Sequence, residues 1–317
     1  MKTNMVSAGA ISVHAPLRKQ ISRYKAYYLL ILPGILYFVI WHYLPMLGIV
    51  IAFKDVSPYG GAAEMLTSPW VGLEHFKKFF RSFYFWNILR NTLNISVQKL
   101  IFGFPAPILL ALLLNEITNV HYKRVVQTVS YLPHFISSVI MAGLMYNVLS
   151  TNGGIVNEVI KLFGGEPIFF LGESRYFVKT LVVSSIWQGV GWGTIIYLAA
   201  ITGIDSQLYE AARIDGANKL QQVVHITLPG VLGVASIMLI MNLGNILNAG
   251  FEQILLLYSP SVYDVADIID TYVYREGLVN LNYSYSAAVG LFKSVIGLIL
   301  VLSVNWVIKK SGQSGIW

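Results

Sequence analysis

Apolar residues gather into six long runs, over residues 27–53, 88–114, 125–149, 178–203, 231–258 and 285–308, with polar residues concentrated between them. A helix needs about 20 apolar residues to cross ~30 Å of hydrocarbon. The pattern therefore predicts an all-α integral membrane protein with six transmembrane helices. The first run follows the basic stretch RKQISRYK, as a signal peptide would, but it is too long and lacks an A-x-A cleavage site. It reads as a retained span. The expected organisation is an N-terminal arm (1–26), a six-helix domain (27–308) with a polar connector at 205–229, and a short tail (309–317).

Composition agrees with this reading: 56% of the 317 residues are hydrophobic and 12% charged, too apolar for a soluble domain. Cysteine is absent, which excludes disulfides, thiolate metal sites and Cys nucleophiles. The formal net charge of +7 is spread over loops and forms no basic, aromatic-flanked platform for nucleic acid, so membrane topology explains it better. With six spans, Arg18, Lys19, Arg23 and Lys25, then Lys123 and Arg124, then Lys309 and Lys310, share one side. That side is expected to be the cytoplasm, with both termini in it. Lys77, Lys78 and Arg81 fall in the first external loop, where length weakens the rule, and the last external segment, SPSVYDVADIIDTYVYREG, is acidic.

The connector between spans four and five contains YEAARIDGANKLQQVVHITLPG. Asp205 or Ser206 can cap a short helix in which Leu208, Ala211 and Ala212 recur at helical spacing, and Glu210 and Arg213 are three apart, close enough to pair. Gly216 suits a left-handed C-cap. A second helix follows with Leu220, Val223 and Val224 on one side, and Pro229 punctuates the start of the next span. These residues alone support two readings equally: a knob that docks in another subunit, or an amphipathic segment lying among lipid headgroups.

The motif E-A-A-x-x-D-G-A with a downstream I-x-L-P stands here as Glu210, Ala211, Ala212, Asp215, Gly216, Ala217, Ile226, Leu228 and Pro229. It resembles the signature loop of permease subunits of binding-protein-dependent ABC importers. Two positions depart from the family pattern: Val223 where an aromatic is frequent, and Gly233 where a proline is usual. YLLILPGILYFVIWHYLPMLGIVIAFKD near the start, GFEQILLLYSP with VADIIDTYVYREGL after span five, and the ending GIW resemble the oligo- and polysaccharide branch of these permeases, alginate-type importers in particular.

The resemblance implies a type I, maltose-importer-like architecture in a bacterial cytoplasmic (inner) membrane. Glu210, Ala211, Ala212, Arg213, Asp215, Gly216 and Ala217 would couple the chain to two copies of an ATPase subunit. A second permease subunit and an extracytoplasmic solute-binding protein would complete the machine, with oligosaccharide as substrate and no nucleic acid. No lysine follows a glycine, so no P-loop can occur. ATP and Mg would be bound by the partner ATPase, with no cofactor in this chain and no enzyme activity of its own. GVGWG (189–193) lies inside an apolar run, where glycine serves close helix packing. A secondary transporter would show internal repeats, which are not evident. An enzyme reading lacks both H-E-x-x-H and G-x-S-x-G, and the six histidines have no metal spacing.

Polar side chains in membrane spans face cavities, partner helices or one another. Span two carries Asn91, Asn94 and Gln98 on roughly one face, beside Lys99; span four carries Trp187, Gln188 and Trp192. Asn242, Asn245, Asn248 and Glu252 lie in span five and Lys293 in span six. For each residue interhelical adhesion is as good a reading as substrate contact, and Arg90 can snorkel. Together, amides and aromatic faces suit a sugar. Counting along straight helices puts Glu252 ~9 Å and Lys293 ~13 Å deep, close enough to pair. Lys99 would then be left as an unpaired cation. The cavity is accordingly expected to be electropositive and to favour acidic, alginate-like oligosaccharides, with a neutral-sugar permease as the alternative.

Overall fold

The computed structural model describes residues 24–310, which divide into a unit ending at Val50 and a larger unit beginning at Ile51. Arg18, Lys19, Arg23 and the GIW ending lie outside the described residues. In the first unit the chain enters helix α1 (Lys25–Phe53). Its winding loosens to a π-turn over Val39–Tyr43 just before Pro45. Proline lacks an N–H and crowds the carbonyl four residues back, and a wider turn relieves both.

The larger unit continues with α2 (Gly61–Thr67) and α3 (Glu74–Arg81), then the long α4 (Phe85–Glu116). Next come α5 (Val120–Phe135), α6 (Ser138–Val148), α7 (Ile155–Leu162) and α8 (Ser174–Thr202). The connector helix α9 (Ser206–Ile214) precedes α10 (Lys219–Gly244). Three short helices, α11 (Phe251–Leu257), α12 (Tyr263–Ala266) and α13 (Ile269–Tyr274), lead to α14 (Tyr283–Lys310). Among the described residues, α1, α4, α8, α10 and α14 are each long and apolar enough to cross a membrane.

Two expected spans are broken. The third is a pair, α5 and α6, bent by 105°. Pro133 sits in a 3-10 turn at the end of α5, and Ser137 is extended and caps α6, its Oγ accepting from Ile140 N. The fifth ends at Gly244 rather than running to 258. After a 3-10 turn (Ile246–Asn248), Ala249 (φ 48°) and Gly250 (φ 85°) are both left-handed and redirect the chain into α11. The apolar run hides the turn because Ile246, Leu247 and 254–257 remain apolar on either side of it. A Cβ on Gly250 would lie 2.2 Å from Lys99 Nζ, so a side chain there would displace the lysine's end.

The core has three parts. Ile95, Phe177, Leu181, Ile254 and Leu257 anchor the largest. Phe79, Phe85, Tyr272 and Tyr285 form an aromatic cluster joining α3 and α13 to α14. Ala111, Tyr197, Val231 and Ala235 let α4, α8 and α10 approach closely. Within GVGWG, a Cβ on Gly191 would lie 2.0 Å from the Ser130 carbonyl oxygen, so this glycine serves helix packing as expected.

Candidate transport pathway and coupling loop

Polar chemistry collects where the broken fifth span meets α4 and α13. A cavity of about 860 Å³ is lined by Lys99, Gln188, Asn248, Glu252, Gln253 and Asp270, among others. Lys99 Nζ donates to Gln253 Oε1 (3.0 Å), and Gln253 Nε2 donates to Ser184 Oγ (2.8 Å). Among the described residues no carboxylate lies at ion-pair distance from Lys99. The left-handed turn at Ala249 and Gly250 opens the space that its ammonium fills. Lys99 also borders a smaller cavity of about 380 Å³, together with Ser96, Asn242 and Asn245.

The expected Glu252–Lys293 pair does not form. Lys293 Nζ donates to both carboxylate oxygens of Asp270 (2.7 and 2.6 Å) and to Asn248 Oδ1 (2.6 Å). Glu252 instead accepts from Ser138 Oγ (2.8 Å). Depth counted along a straight fifth span fails because the chain turns at 249–250, while α13 folds back to the level of Lys293. The cavity therefore presents one cation, Lys99, and one anion, Glu252, each without an ion-pair partner among the described residues. The expected electropositive surplus is absent.

Other candidates are dispersed. Asn94 and Gln98 bond to each other (Gln98 Nε2 to Asn94 Oδ1, 2.9 Å) on a face of α4 away from Lys99. Trp187 borders an apolar crevice of about 590 Å³ with Met141, Met145 and Val183. Trp192 stacks on His134, centroids 4.5 Å apart and planes 3° from parallel. Gln188 lines the large cavity and donates to the Ile136 carbonyl (3.0 Å), fastening the bend of the third span. Asn91 is adhesive, its amide donating to the carbonyls of Asp264 (2.9 Å) and Asp267 (3.1 Å).

Gln253, Asp270 and Ser138 escaped the sequence reading. Their signal was present, since Asp270 lies three residues beyond Asp267 in a segment read only for its acidity. Asp267 is 2% exposed and forms a bidentate pair with Arg275 (3.1 and 2.6 Å). Burial disfavours the Arg275 charge, but the Asp267 carboxylate outweighs it and raises the guanidinium above its ordinary range.

The candidate coupling loop is built as a capped pair of helices. Asp205 Oδ1 accepts from Gln207 N (2.9 Å) and starts α9. Gly216 is left-handed (φ 79°), and Ala217 N reaches the Ala212 carbonyl (2.8 Å), closing a Schellman-type end. Asn218 and Gln221 then form a reciprocal capping box that starts α10, a signal the sequence reading missed. Pro229 does not interrupt the chain. A π-turn over Val223–Thr227 absorbs it, so the second loop helix and the fifth span are one helix, 26 residues long.

Glu210 and Arg213 do not pair; an exposed pair at this spacing contributes little against side-chain entropy. Lys219 instead bridges to Glu116 (2.8 Å) at the end of α4, and the Tyr209 hydroxyl meets Thr227 Oγ1 (2.9 Å). Glu210, Arg213, Asp215 and Gly216 are exposed, while Ala212 and Ala217 are half-buried. Leu208, Ile214, Leu220 and Val224 are also exposed, Ile214 to 87%, leaving an apolar surface within a charged rim.

Residues 103–312 match the model of the family described as binding-protein-dependent transport system inner membrane component. The chain belongs to that family. This permease is 49% identical over 293 residues to the polygalacturonan/rhamnogalacturonan transport system permease protein YteP of Bacillus subtilis (strain 168), covering 92% of this chain and 90% of the relative. It is 46% identical over 297 residues to Protein LplB of the same organism, covering 94% and 92%. Among solved structures, a chain of a bacterial ABC transporter involved in the import of the acidic polysaccharide alginate is 41% identical, with TM-score 0.87 over 93% of this chain and 99% of that one. A chain of a bacterial alginate ABC transporter in complex with an alginate pentasaccharide-bound periplasmic protein is 40% identical, with TM-score 0.88 over 95% and 100%. The expected permease fold and the membrane-transport role are borne out.

Proposed function

We propose that this permease carries acidic oligo- or polysaccharide across a bacterial cytoplasmic membrane, using alternating access powered by a separate ATPase. The observation that carries the reading is Lys99, a cation held at a cavity wall by a neutral amide alone. A uronate carboxylate would give it a charge-assisted hydrogen bond. Glu252, across the same cavity, offers a carboxylate that accepts from sugar hydroxyls. The relatives named for polygalacturonan/rhamnogalacturonan transport and for import of the acidic polysaccharide alginate support the same choice.

The coupling loop docks on an ATPase subunit, two copies of which bind ATP and Mg. Glu210, Arg213 and Asp215 form its rim, Gly216 its turn, and Ala211, Ala212 and Ala217 its close fit. A second permease subunit completes the pathway and an extracytoplasmic binding protein delivers the substrate, with both termini of this chain in the cytoplasm.

One observation favours a neutral saccharide instead, namely that Glu252 balances Lys99 in charge. Uptake of a uronic-acid oligomer and a neutral oligomer of equal length separates the two. Lys99→Gln should lower uptake of the acidic oligomer about tenfold more than that of the neutral one, equivalent to ~1.4 kcal/mol. Lys293→Gln, whose native charge is matched by Asp270, should reduce both alike. Equal loss in both variants would remove the acidic assignment.

A further inference from the structure

Lys99 stands where two cavities meet. The cavity of about 860 Å³ reaches α8 at Ser185 and Gln188, while that of about 380 Å³ follows α8 from Ser185 to Tyr197, toward the coupling-loop end. Lys99, Ser185 and Gly250 border both. A chain of hydrogen bonds joining α4, α11 and α8 holds the ammonium there. Lys99 Nζ donates to Gln253 Oε1 (3.0 Å), and Gln253 Nε2 donates to Ser184 Oγ (2.8 Å). Ser184 gives its own proton to carbonyls within α8, those of Thr180 (2.6 Å) and Leu181 (3.2 Å).

This chain fixes the Gln253 amide from both ends. An ammonium only donates, so the amide oxygen must face Lys99. Ser184, its proton already engaged, offers lone pairs alone, so the amide nitrogen must face Ser184. A glutamate has the same length and branching. At position 253 it would put a carboxylate where the amide oxygen now stands and turn the contact with Lys99 into an ion pair. Lys293 displays that alternative within the same chain, since its partner is the Asp270 carboxylate at 2.6 Å.

We propose that Gln253 is a specificity-determining residue. By holding Lys99 through a neutral amide where the two cavities meet, it leaves the cation to an anionic group of the substrate, which can reach it from either cavity. Gln253 acts through Lys99 and is a positioning residue. The property that sets the preference is the neutrality of the side chain at 253, and its hydrogen bond is secondary. The inference rests on the acidic-saccharide reading above.

The test uses the complete transporter in proteoliposomes. Uptake of a uronic-acid oligomer and of its carboxyl-reduced, neutral counterpart is compared at equal amounts of assembled complex. Gln253→Glu should lower the acidic-to-neutral uptake ratio at least tenfold, because Lys99 then has an internal counter-ion. Gln253→Met loses the hydrogen bond but adds no charge, and should keep the ratio within about threefold of the parent. A purely structural role predicts the reverse order, since glutamate retains a bond to Lys99 and methionine does not. An unchanged ratio in Gln253→Glu, or an equal loss in both variants, would overturn the inference. So would failure of Gln253→Glu to assemble, which would show that Lys99 does not neutralise the new carboxylate. Lys99→Gln in the same assay separates the two claims. If it lowers the ratio while Gln253→Glu does not, the role of Gln253 falls alone. If it leaves the ratio unchanged, the acidic reading falls and this inference with it.

Discussion

Two lysines border the polar interior of this permease, and their surroundings differ. Lys293 is neutralised by both oxygens of Asp270 and steadied by Asn248, beside a segment in which Asp267 grips Arg275 and Thr271 Oγ1 donates to Asp267 Oδ1 (2.7 Å). Among the described residues Lys99 bonds only the neutral amide of Gln253, which leans on Ser184. Removing a charge from water costs several kcal/mol unless a partner compensates. The first region is therefore complete in this chain. The second holds its cation with a neutral amide, which leaves a charge-assisted bond to Lys99 still to be made.

The largest effect expected on this contrast comes from Asp267→Asn, which leaves Arg275 half-buried without its carboxylate. Thermal unfolding in detergent should show a loss of about 3 kcal/mol, at the low end for breaking a buried pair. Asp270→Asn should cost somewhat less, about 2 kcal/mol, because Asn248 still holds Lys293. Lys99→Met is expected to leave stability unchanged or raise it by about 1 kcal/mol, since it removes a half-buried cation that has no counter-ion among the described residues. A drop as large as that of Asp270→Asn would make Lys99 a structural residue and end the comparison. Gly250→Ala should cost about 1 kcal/mol, as expected for a left-handed alanine. It should still reduce uptake of an acidic oligomer, because the new methyl would displace the Lys99 ammonium.

Much of the architecture was legible from hydropathy, because a membrane-spanning helix is dictated by length and apolarity alone. The ends of the coupling helix were legible too: Asp205 and Gly216 act through local backbone geometry that residue type reveals. Chain direction was not. Around 133–137 and 245–250 the polar residues His134, Ser137, Asn245 and Asn248 are too few to end an apolar run, and Pro133 and Gly250 mark where the backbone turns. The Asp270–Lys293 pair depends on α13 folding back toward α14, a tertiary fact with no periodic signature. Glu210 and Arg213 illustrate the reverse error, since spacing permits a bond that solvent makes unprofitable.

The continuity of α10 has a mechanical consequence. A rod of 26 residues is ~39 Å long, so tilting it by only about 5° sweeps its far end through ~3 Å. That is the length of the Lys99–Gln253 hydrogen bond, and Gln253 stands just past the turn in which the rod ends. With Asn218 and Gln221 clamping one end and the π-turn at 223–227 giving it local compliance, a modest push on the loop is enough to change which atoms Lys99 can reach.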